Sequence, residues 1–249
     1  AKSFAVGVRI EHPQTLIDHS QYGRDRGNDL PAAAYKLTEN LENGRGVYTF
    51  CMCPGGYVVN ASSEKHRLAV NGMSYHDRAG ENANSAVIVT VTPDDFGSGH
   101  PLAGISFQRS LEEKAYQAGQ GKVPVQRFGD FKENQITTAY GKVHSCIKGA
   151  SVFGNVRAIF PTEIAQSLED GITAMDHKIH GFADDDALLS GVESRTSSPV
   201  RIERDENFVC ASCDWIYPCG EGAGYAGGIT SAAMDGMKVA EAIIQKYKS

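Results

Sequence analysis

Two groups of residues have types and spacing that can do chemistry. The first is the run Gly220-Glu221-Gly222-Ala223-Gly224-Tyr225-Ala226-Gly227-Gly228, placed between a buried-strand candidate, Trp215-Ile216-Tyr217, and a helix predicted from about Ile229 to Lys246. Residues Gly222 to Gly227 spell G-x-G-x-x-G. Glycines let backbone approach a ligand closely, and a helix that starts at Gly228 or Ile229 points free N–H groups and a positive dipole end at whatever sits there. Phosphate or an electron-rich ring edge would be stabilised. Glu221 leaves the strand at the end where open α/β sheets bind ligands, and its carboxylate could accept hydrogen bonds from hydroxyls. The spelling alone is weak, because a dinucleotide fingerprint also needs a second strand ending in an acid about 20 residues on. The sequence stops in the helix, so this run is not expected to be the opening turn of a βαβ nucleotide site. A tight turn that uses glycine only for close packing stays open as the alternative.

The second group is Cys51-Met52-Cys53 before the turn Pro54-Gly55-Gly56. A reachable thiol there could act as a redox partner or a nucleophile, with Cys53 preferred as the catalytic candidate because it abuts the turn. In an alternating strand both cysteines point the same way, and free cysteine is commonly a small buried hydrophobe. Cys210-Ala211-Ser212-Cys213 and Cys219 could join Cys51 and Cys53 as thiolate ligands, but the spacing fits neither a zinc finger nor a ferredoxin. No metal is expected. Arg195-Thr196-Ser197-Ser198-Pro199-Val200-Arg201 could grip an acidic group, or could be a surface strand whose arginines meet Glu193 and Glu203. The eight histidines show no H-x-x-x-H spacing.

These residues need elements to hold them. A chain of 249 residues with 41% hydrophobic composition can bury a sizeable core. Phe4, Val6, Val8 and Ile10 alternate with Ala5, Gly7 and Arg9 as a strand with no lead-in, so a native chain beginning well upstream is an expectation. From Ala33 to Asp95, β-favouring runs such as 46–50, 56–59, 67–70 and 86–91 are broken by Pro54-Gly55-Gly56, Asn71-Gly72 and Pro93-Asp94-Asp95, as in an antiparallel sheet or barrel. Helices are predicted over 104–119 and about 161–179, with 120–148 read as loop. In the last helix Ile229, Ala233, Met237, Ala240 and Ile244 form one stripe. Twenty-four Lys and Arg against 30 Asp and Glu leave a net charge of −6 with no basic stripe, so nucleic acid is not an expected partner. No apolar run approaches the roughly 20 residues of a membrane span, and the N-terminus lacks signal-peptide features, so a cytoplasmic setting is expected.

The segment Tyr217-Pro218-Cys219-Gly220-Glu221-Gly222-Ala223-Gly224-Tyr225-Ala226-Gly227-Gly228-Ile229, continuing through Ser231-Ala232-Ala233-Met234-Asp235-Gly236, resembles the C-terminal motif of the bacterial proteins called uncharacterised FAD-dependent dehydrogenases. It is more distantly similar to the closing motif of glutathione-reductase-type flavoproteins. The resemblance extends to Gly7-Val8-Arg9-Ile10-Glu11-His12-Pro13, Met52-Cys53-Pro54-Gly55-Gly56, Asn71-Gly72-Met73-Ser74 and Gly191 through Arg201. It implies an FAD-dependent oxidoreductase, with Gly220 and Glu221 toward ribityl and pyrophosphate and Gly227, Gly228 and Ile229 toward the isoalloxazine. In that family a dinucleotide fold with its own glycine turn precedes this segment, so the missing N-terminal FAD-binding segment of the same protein is the expected partner. An unknown small-molecule substrate, with NAD(P)H as a candidate, completes the set.

The resulting expectation is an α+β fold. Residues 15–185 form an inserted substrate-like domain, β-rich over 20–100 and helical over 101–185, and residues 1–14 and 186–249 supply the C-terminal segments of an FAD-binding α/β domain, including its closing strand, loop and helix. Gly220, Glu221, Gly222, Gly224, Gly227, Gly228 and Ile229 are the cofactor-binding candidates. A non-enzymatic interaction module and a thiolate metal-binding protein are the alternatives from other classes.

Overall fold

Strand β1 (Phe4–Pro13) shows how burial reshapes the sequence pattern. The alternation of apolar residues with Ala5, Gly7 and Arg9 predicts one buried face, yet every residue of the strand except Pro13 is buried. Both of its faces are therefore covered, and both of its edges pair with neighbouring strands in a seven-stranded sheet. The computed structural model describes residues 1–248.

The chain is α+β, as expected. Helix α1 (Gln14–Tyr22) follows β1, and then come strands β2 (Thr38–Asn40), β3 (Gly46–Cys53), β4 (Gly56–Asn60), β5 (Val70–Ser74) and β6 (Asn82–Val91). Helix α2 (Ala103–Ala118), β7 (Val123–Arg127), α3 (Phe128–Lys132), β8 (Ile147–Lys148), β9 (Ser151–Phe153), α4 (Thr162–Met175), β10 (Leu188–Glu193) and α5 (Ile229–Tyr247) complete the order. The large sheet runs β2-β3-β6-β1-β10-β7-β9, and a second sheet runs β5-β4-β8. Both are open sheets rather than a barrel. Strand β10 pairs antiparallel with β1, with Arg9 opposite Ser190 and Glu11 opposite Leu188, and on its other edge with β7.

Two units divide the chain. One holds Val6–Thr90 and Gln108–Ser194, and contains the sheets, α1, α3 and α4. Its α4 turns Ile164, Leu168, Ile172 and Met175 inward, the stripe read from the sequence, and packs on β2 and β3. Gly171 of α4 lies so close to Val47 that a Cβ there would fall 2.5 Å from Val47 Cγ1. The other unit holds Ala1–Ala5, Val91–Phe107 and the chain from Arg195 onward. Within it Phe4, Phe96 and Phe107 form an aromatic cluster with ring centroids 5.3–6.4 Å apart. Thr196 Oγ1 donates to the Ala5 carbonyl at 2.7 Å, tying the N-terminus to the segment after β10.

Three expectations need correction. Asn71-Gly72 is not a turn closing a strand over 67–70, because β5 begins at Val70 and carries both residues opposite Val59 and Val58 of β4. The stretch 120–148 is not simply loop, because it contains β7, α3 and β8. Strand β7 escapes sequence reading because Pro124 and Gln126 break its apolar pattern, while its partners lie far along the chain, at Leu188–Ser190 and Ser151–Phe153. Trp215-Ile216-Tyr217 is not a strand, and Trp215 is 80% exposed. No ladder among the described residues pairs with it, and a strand without a neighbour leaves its backbone groups to solvent and turns. Cys210 and Cys213 instead close a small isolated bridge just before it.

Gly7 is the tightest point of the large sheet. A Cβ at this position would sit 1.9 Å from the Val87 carbonyl oxygen of β6. Gly7→Ala is therefore expected to lower the unfolding free energy by about 3 kcal/mol, the upper end of overpacking costs. Urea unfolding checks it, and a loss under about 1 kcal/mol would mean that the sheet spreads at this point without cost.

Candidate functional site

The glycine run and the start of α5 are held by one ion pair in the unit that begins at Arg195. Arg204 meets Asp235 of α5 bidentately, Nη1 to Oδ2 at 3.0 Å and Nη2 to Oδ1 at 2.7 Å. Nη1 also donates to the Pro218 carbonyl at 2.6 Å, and the Gly220 amide donates to Asp235 Oδ2 at 2.8 Å. The same guanidinium lies 3.6 Å from the Tyr225 ring centroid, and Tyr225 donates its hydroxyl to the Ile202 carbonyl. Arg201 reaches the Gly224 carbonyl with two of its nitrogens, at 3.3 and 3.2 Å. Its guanidinium thus serves the loop internally rather than pairing with Glu203. These contacts fasten both ends of the loop, and the Arg204 hydrogen bond holds the Asp235 carboxyl below its ordinary value. Sequence does not pair Arg204 with Asp235, because they are 31 residues apart.

The structure brings all seven C-terminal candidates into this one loop and helix start. Gly220 and Gly224 have φ of +69° and +85°, and a Cβ on Gly224 would meet the Val200 oxygen at 2.4 Å, so glycine is needed there for both conformation and space. Gly222 and Gly227 face open space, where a side chain would meet nothing of the protein. Glu221 is exposed. Gly228 is the extended residue before α5, without a side chain to cap the first turn, and Ile229 is 93% exposed. The first-turn amides of a 19-residue helix, with the positive end of its dipole, thus open onto a glycine rim. Such a set of donors suits phosphate or the electron-rich edge of a ring.

Cys53 belongs to the other unit, where it borders a buried polar layer that sequence reading missed. Arg9 is fully buried. Its Nε donates to Asn84 Oδ1 at 3.0 Å, Nη2 to the Cys51 carbonyl at 2.5 Å and to Cys53 Sγ at 3.4 Å, and Nη1 pairs with Glu193 at 3.4 Å. Gly72 leaves the room, since a Cβ there would lie 2.1 Å from Arg9 Nη2. The pairing of β3 with β6 shifts register between Phe50 and Cys53, and Cys51 takes φ +44°. Simple strand alternation therefore fails at the two cysteines: Cys51 is exposed, while Cys53 is half-buried beside Arg9. Asn84 Nδ2 and Ser190 Oγ are buried in the same layer without hydrogen-bond partners. Burial pushes the Glu193 carboxyl up to about 7, outweighing the attraction of Arg9.

Two further buried groups flank the layer. Glu11 accepts hydrogen bonds from Ser145 Oγ at 2.7 Å, the Cys146 amide at 2.7 Å and Asn82 Nδ2 at 3.1 Å, and burial raises its carboxyl above the ordinary value against these bonds. His12 is held at about 4 by burial and is therefore neutral near pH 7, with Nε2 donating to the Phe182 carbonyl at 2.7 Å. Among the described residues no three or more His, Cys, Asp or Glu side chains gather as a metal-holding group. No described helix is long and apolar enough to cross a membrane.

Residues 3–196 match the model of the family described as FAD-dependent protein, C-terminal domain-like. A protein of Clostridium beijerinckii described as uncharacterised is 50% identical over 251 residues, an alignment that takes in 99% of this chain and 47% of the relative. The chain thus spans about half the length of the relative it matches. The glycine run lies beyond the stretch matched by the family model, whereas Arg9, Cys53, Asn84 and Glu193 lie within it.

Glu193 makes the layer sensitive to pH. Its folded value of about 7 exceeds the ordinary 4.5, so between those pH values the folded chain keeps a proton that the unfolded chain has released. The stability this group contributes is complete below the unfolded value and is lost as pH rises through the folded one. Glu193→Gln keeps the neutral form at every pH, so the fall in unfolding free energy from ~pH 5 to ~pH 8 should be smaller in the variant than in the parent. Denaturant unfolding across that range measures the difference, and parallel profiles would show that Glu193 ionises without cost.

Proposed function

The chain belongs to the FAD-dependent protein, C-terminal domain-like family, and from that premise we propose that it is the flavin-closing and substrate-facing part of an FAD-dependent oxidoreductase. The observation that carries the reading is the start of α5, where Gly228 has no side chain to cap the first turn and the glycine loop before it is fixed by Arg204 and Asp235. A fold does not by itself imply an activity, so the weight rests on this site together with the family.

The residues present fit a flavin. Gly222 and Gly227 offer approach without side-chain obstruction, and the first turn of α5 from Ile229 presents the positive end of a dipole, suited to the electron-rich edge of the isoalloxazine, while the Gly228 amide is held by Ser231 Oγ at 3.2 Å. Glu221 is exposed on the rim, where its carboxylate would accept from ribityl hydroxyls. Bound FAD would supply two-electron chemistry, and the chain would orient it. In this reading residues 1–14 and 186–249 go with the flavin domain and 15–185 face the substrate. The N-terminal FAD-binding segment, with the first phosphate-binding turn, comes from polypeptide beyond this chain. Cys53 is the candidate thiol for electron transfer with a small-molecule substrate, NAD(P)H among the candidates, in a cytoplasmic setting.

In the protein that carries the rest of the flavin domain, Glu221→Ala should weaken FAD retention by about 1–3 kcal/mol, through a hydroxyl left without its acceptor. Flavin content after dialysis and the FAD dissociation constant measure it, and unchanged values would remove Glu221 from the site. Cys53→Ser in the same protein should slow flavin reduction or reoxidation while FAD stays bound, because the thiol chemistry is lost with little change of shape. Unaltered stopped-flow kinetics would return Cys53 to a packing role beside Arg9.

A further inference from the structure

The motif Cys210-Ala211-Ser212-Cys213 has no part in the flavin reading, and in the structure it is a tight turn. Cys210 and Cys213 are antiparallel bridge partners, and the Cys213 amide donates to the Cys210 carbonyl at 3.1 Å. Opposed antiparallel residues have Cα atoms about 4.5–5.5 Å apart and side chains on the same side, while a disulfide spans Cα separations of about 4.4–6.8 Å. The backbone therefore holds the two residues at a separation that a disulfide can close. The turn is fastened on both sides. The Cys210 amide donates to the Ile216 carbonyl at 2.8 Å, the Ile216 amide to the Cys213 carbonyl at 3.2 Å, and the Ala211 amide to the Glu203 carbonyl at 3.1 Å.

The two thiols differ in access and in surroundings. Cys210 is 8% exposed, and Cys213 is half-buried and more open. Cys210 Sγ lies 3.5 Å from the Ser212 hydroxyl, and that hydroxyl, with the amides of Ser212 and Cys213, holds the Cys210 thiol below its ordinary value. A sulfur steadied as thiolate closes a disulfide readily and is the better leaving group when the bond is opened. A C-x-x-C turn can also be half of a zinc site, but among the described residues no third His, Cys, Asp or Glu joins this pair.

We infer that Cys210 and Cys213 are a thiol–disulfide exchange site for a small disulfide, entered at Cys213 and closed by Cys210. The Cys213 thiolate attacks one sulfur of the small disulfide. A bond forms between them, the S–S bond of the small disulfide breaks, and its other sulfur leaves and takes up a proton. The Cys210 thiolate then attacks Cys213 Sγ in the mixed disulfide, forming the Cys210–Cys213 bond and releasing the second sulfur as a thiol. The cysteines lose two electrons and two protons, and the small disulfide becomes two thiols. In the reverse direction an external thiol attacks the accessible Cys213 sulfur and Cys210 departs. The exchange needs no flavin, so it stands or falls apart from the functional reading above.

The test equilibrates the 249-residue chain carrying Cys219→Ser with mixtures of oxidised and reduced glutathione. Acid quenching and mass spectrometry then follow tryptic peptide 205–238, in which Cys210 and Cys213 are the remaining cysteines. The peptide is expected to lose two hydrogens without carrying glutathione and to regain them in dithiothreitol. Trp215, the single tryptophan of the chain, is expected to change its emission in step. Adding Cys210→Ser should leave glutathione on Cys213, with roughly tenfold more adduct than in its absence, because the closing thiol is gone. A peptide that keeps both thiols at every glutathione ratio would overturn the site, as would glutathione on each cysteine without closure. Equal adduct levels with and without Cys210→Ser would remove Cys210 from its role, and the titration of the Cys219→Ser chain decides the matter even if that second variant does not fold. In the chain that keeps Cys219, a disulfide from Cys213 to Cys219 would likewise overturn the pairing.

Discussion

Arg9 lies on a strand with neighbours on both sides, and its charge reaches no solvent. Removing a guanidinium from water costs several kcal/mol unless its donors are met, so the surroundings of β1 are organised to meet them. Asn84 from β6, the Cys51 carbonyl and Cys53 sulfur from β3, and Glu193 from β10 converge on it, while Gly72 of β5 gives up its side chain to make room. Strands from both sheets of that unit are thereby fixed by one side chain. The register shift at Phe50–Cys53 and the left-handed backbone at Cys51 belong to the same arrangement, because they present the Cys51 carbonyl to Arg9.

The layer is not fully satisfied. Asn84 Nδ2 and Ser190 Oγ have no partners, and burial drives Glu193 toward its neutral form despite the nearby cation. A core built for stability alone would replace such groups with apolar ones, since a well-packed hydrophobic set is often at least as stable as a buried ion pair. Retaining a charged layer beside a half-buried cysteine is consistent with a region that faces chemistry, which is why Cys53 keeps its place in the proposed function.

In the unit beginning at Arg195 the constraint is similar but local. Arg204 and Asp235 join the loop to α5, and Tyr225 stacks on the same guanidinium. Pre-organisation matters here because each neutral hydrogen bond to a ligand is worth only about 0.5–1.5 kcal/mol, so a mobile loop would lose most of that in ordering itself. A fixed rim of glycines at a helix N-terminus can instead offer its amides at little further cost. The same helix turns its apolar stripe to solvent.

What the sequence determined by itself was what short-range physics writes into neighbouring residues. The 3.6-residue periodicity located α4 and α5, the β-branched runs located β3, β4 and β6, and the Gly220–Gly228 run marked a turn onto a helix start. The ordered motifs carried the resemblance to the FAD-dependent family that the family model then matched. Tertiary structure alone decided what depends on residues distant along the chain. Strand β7 exists because β10 and β9 flank it, and Arg9 is buried because β6 and β10 enclose it. Arg204 finds Asp235 across 31 residues with no local signal. The stripe on α5 shows the division within one helix: spacing alone placed five residues on one face, but whether that face meets core or solvent depends on what packs there, which periodicity does not encode.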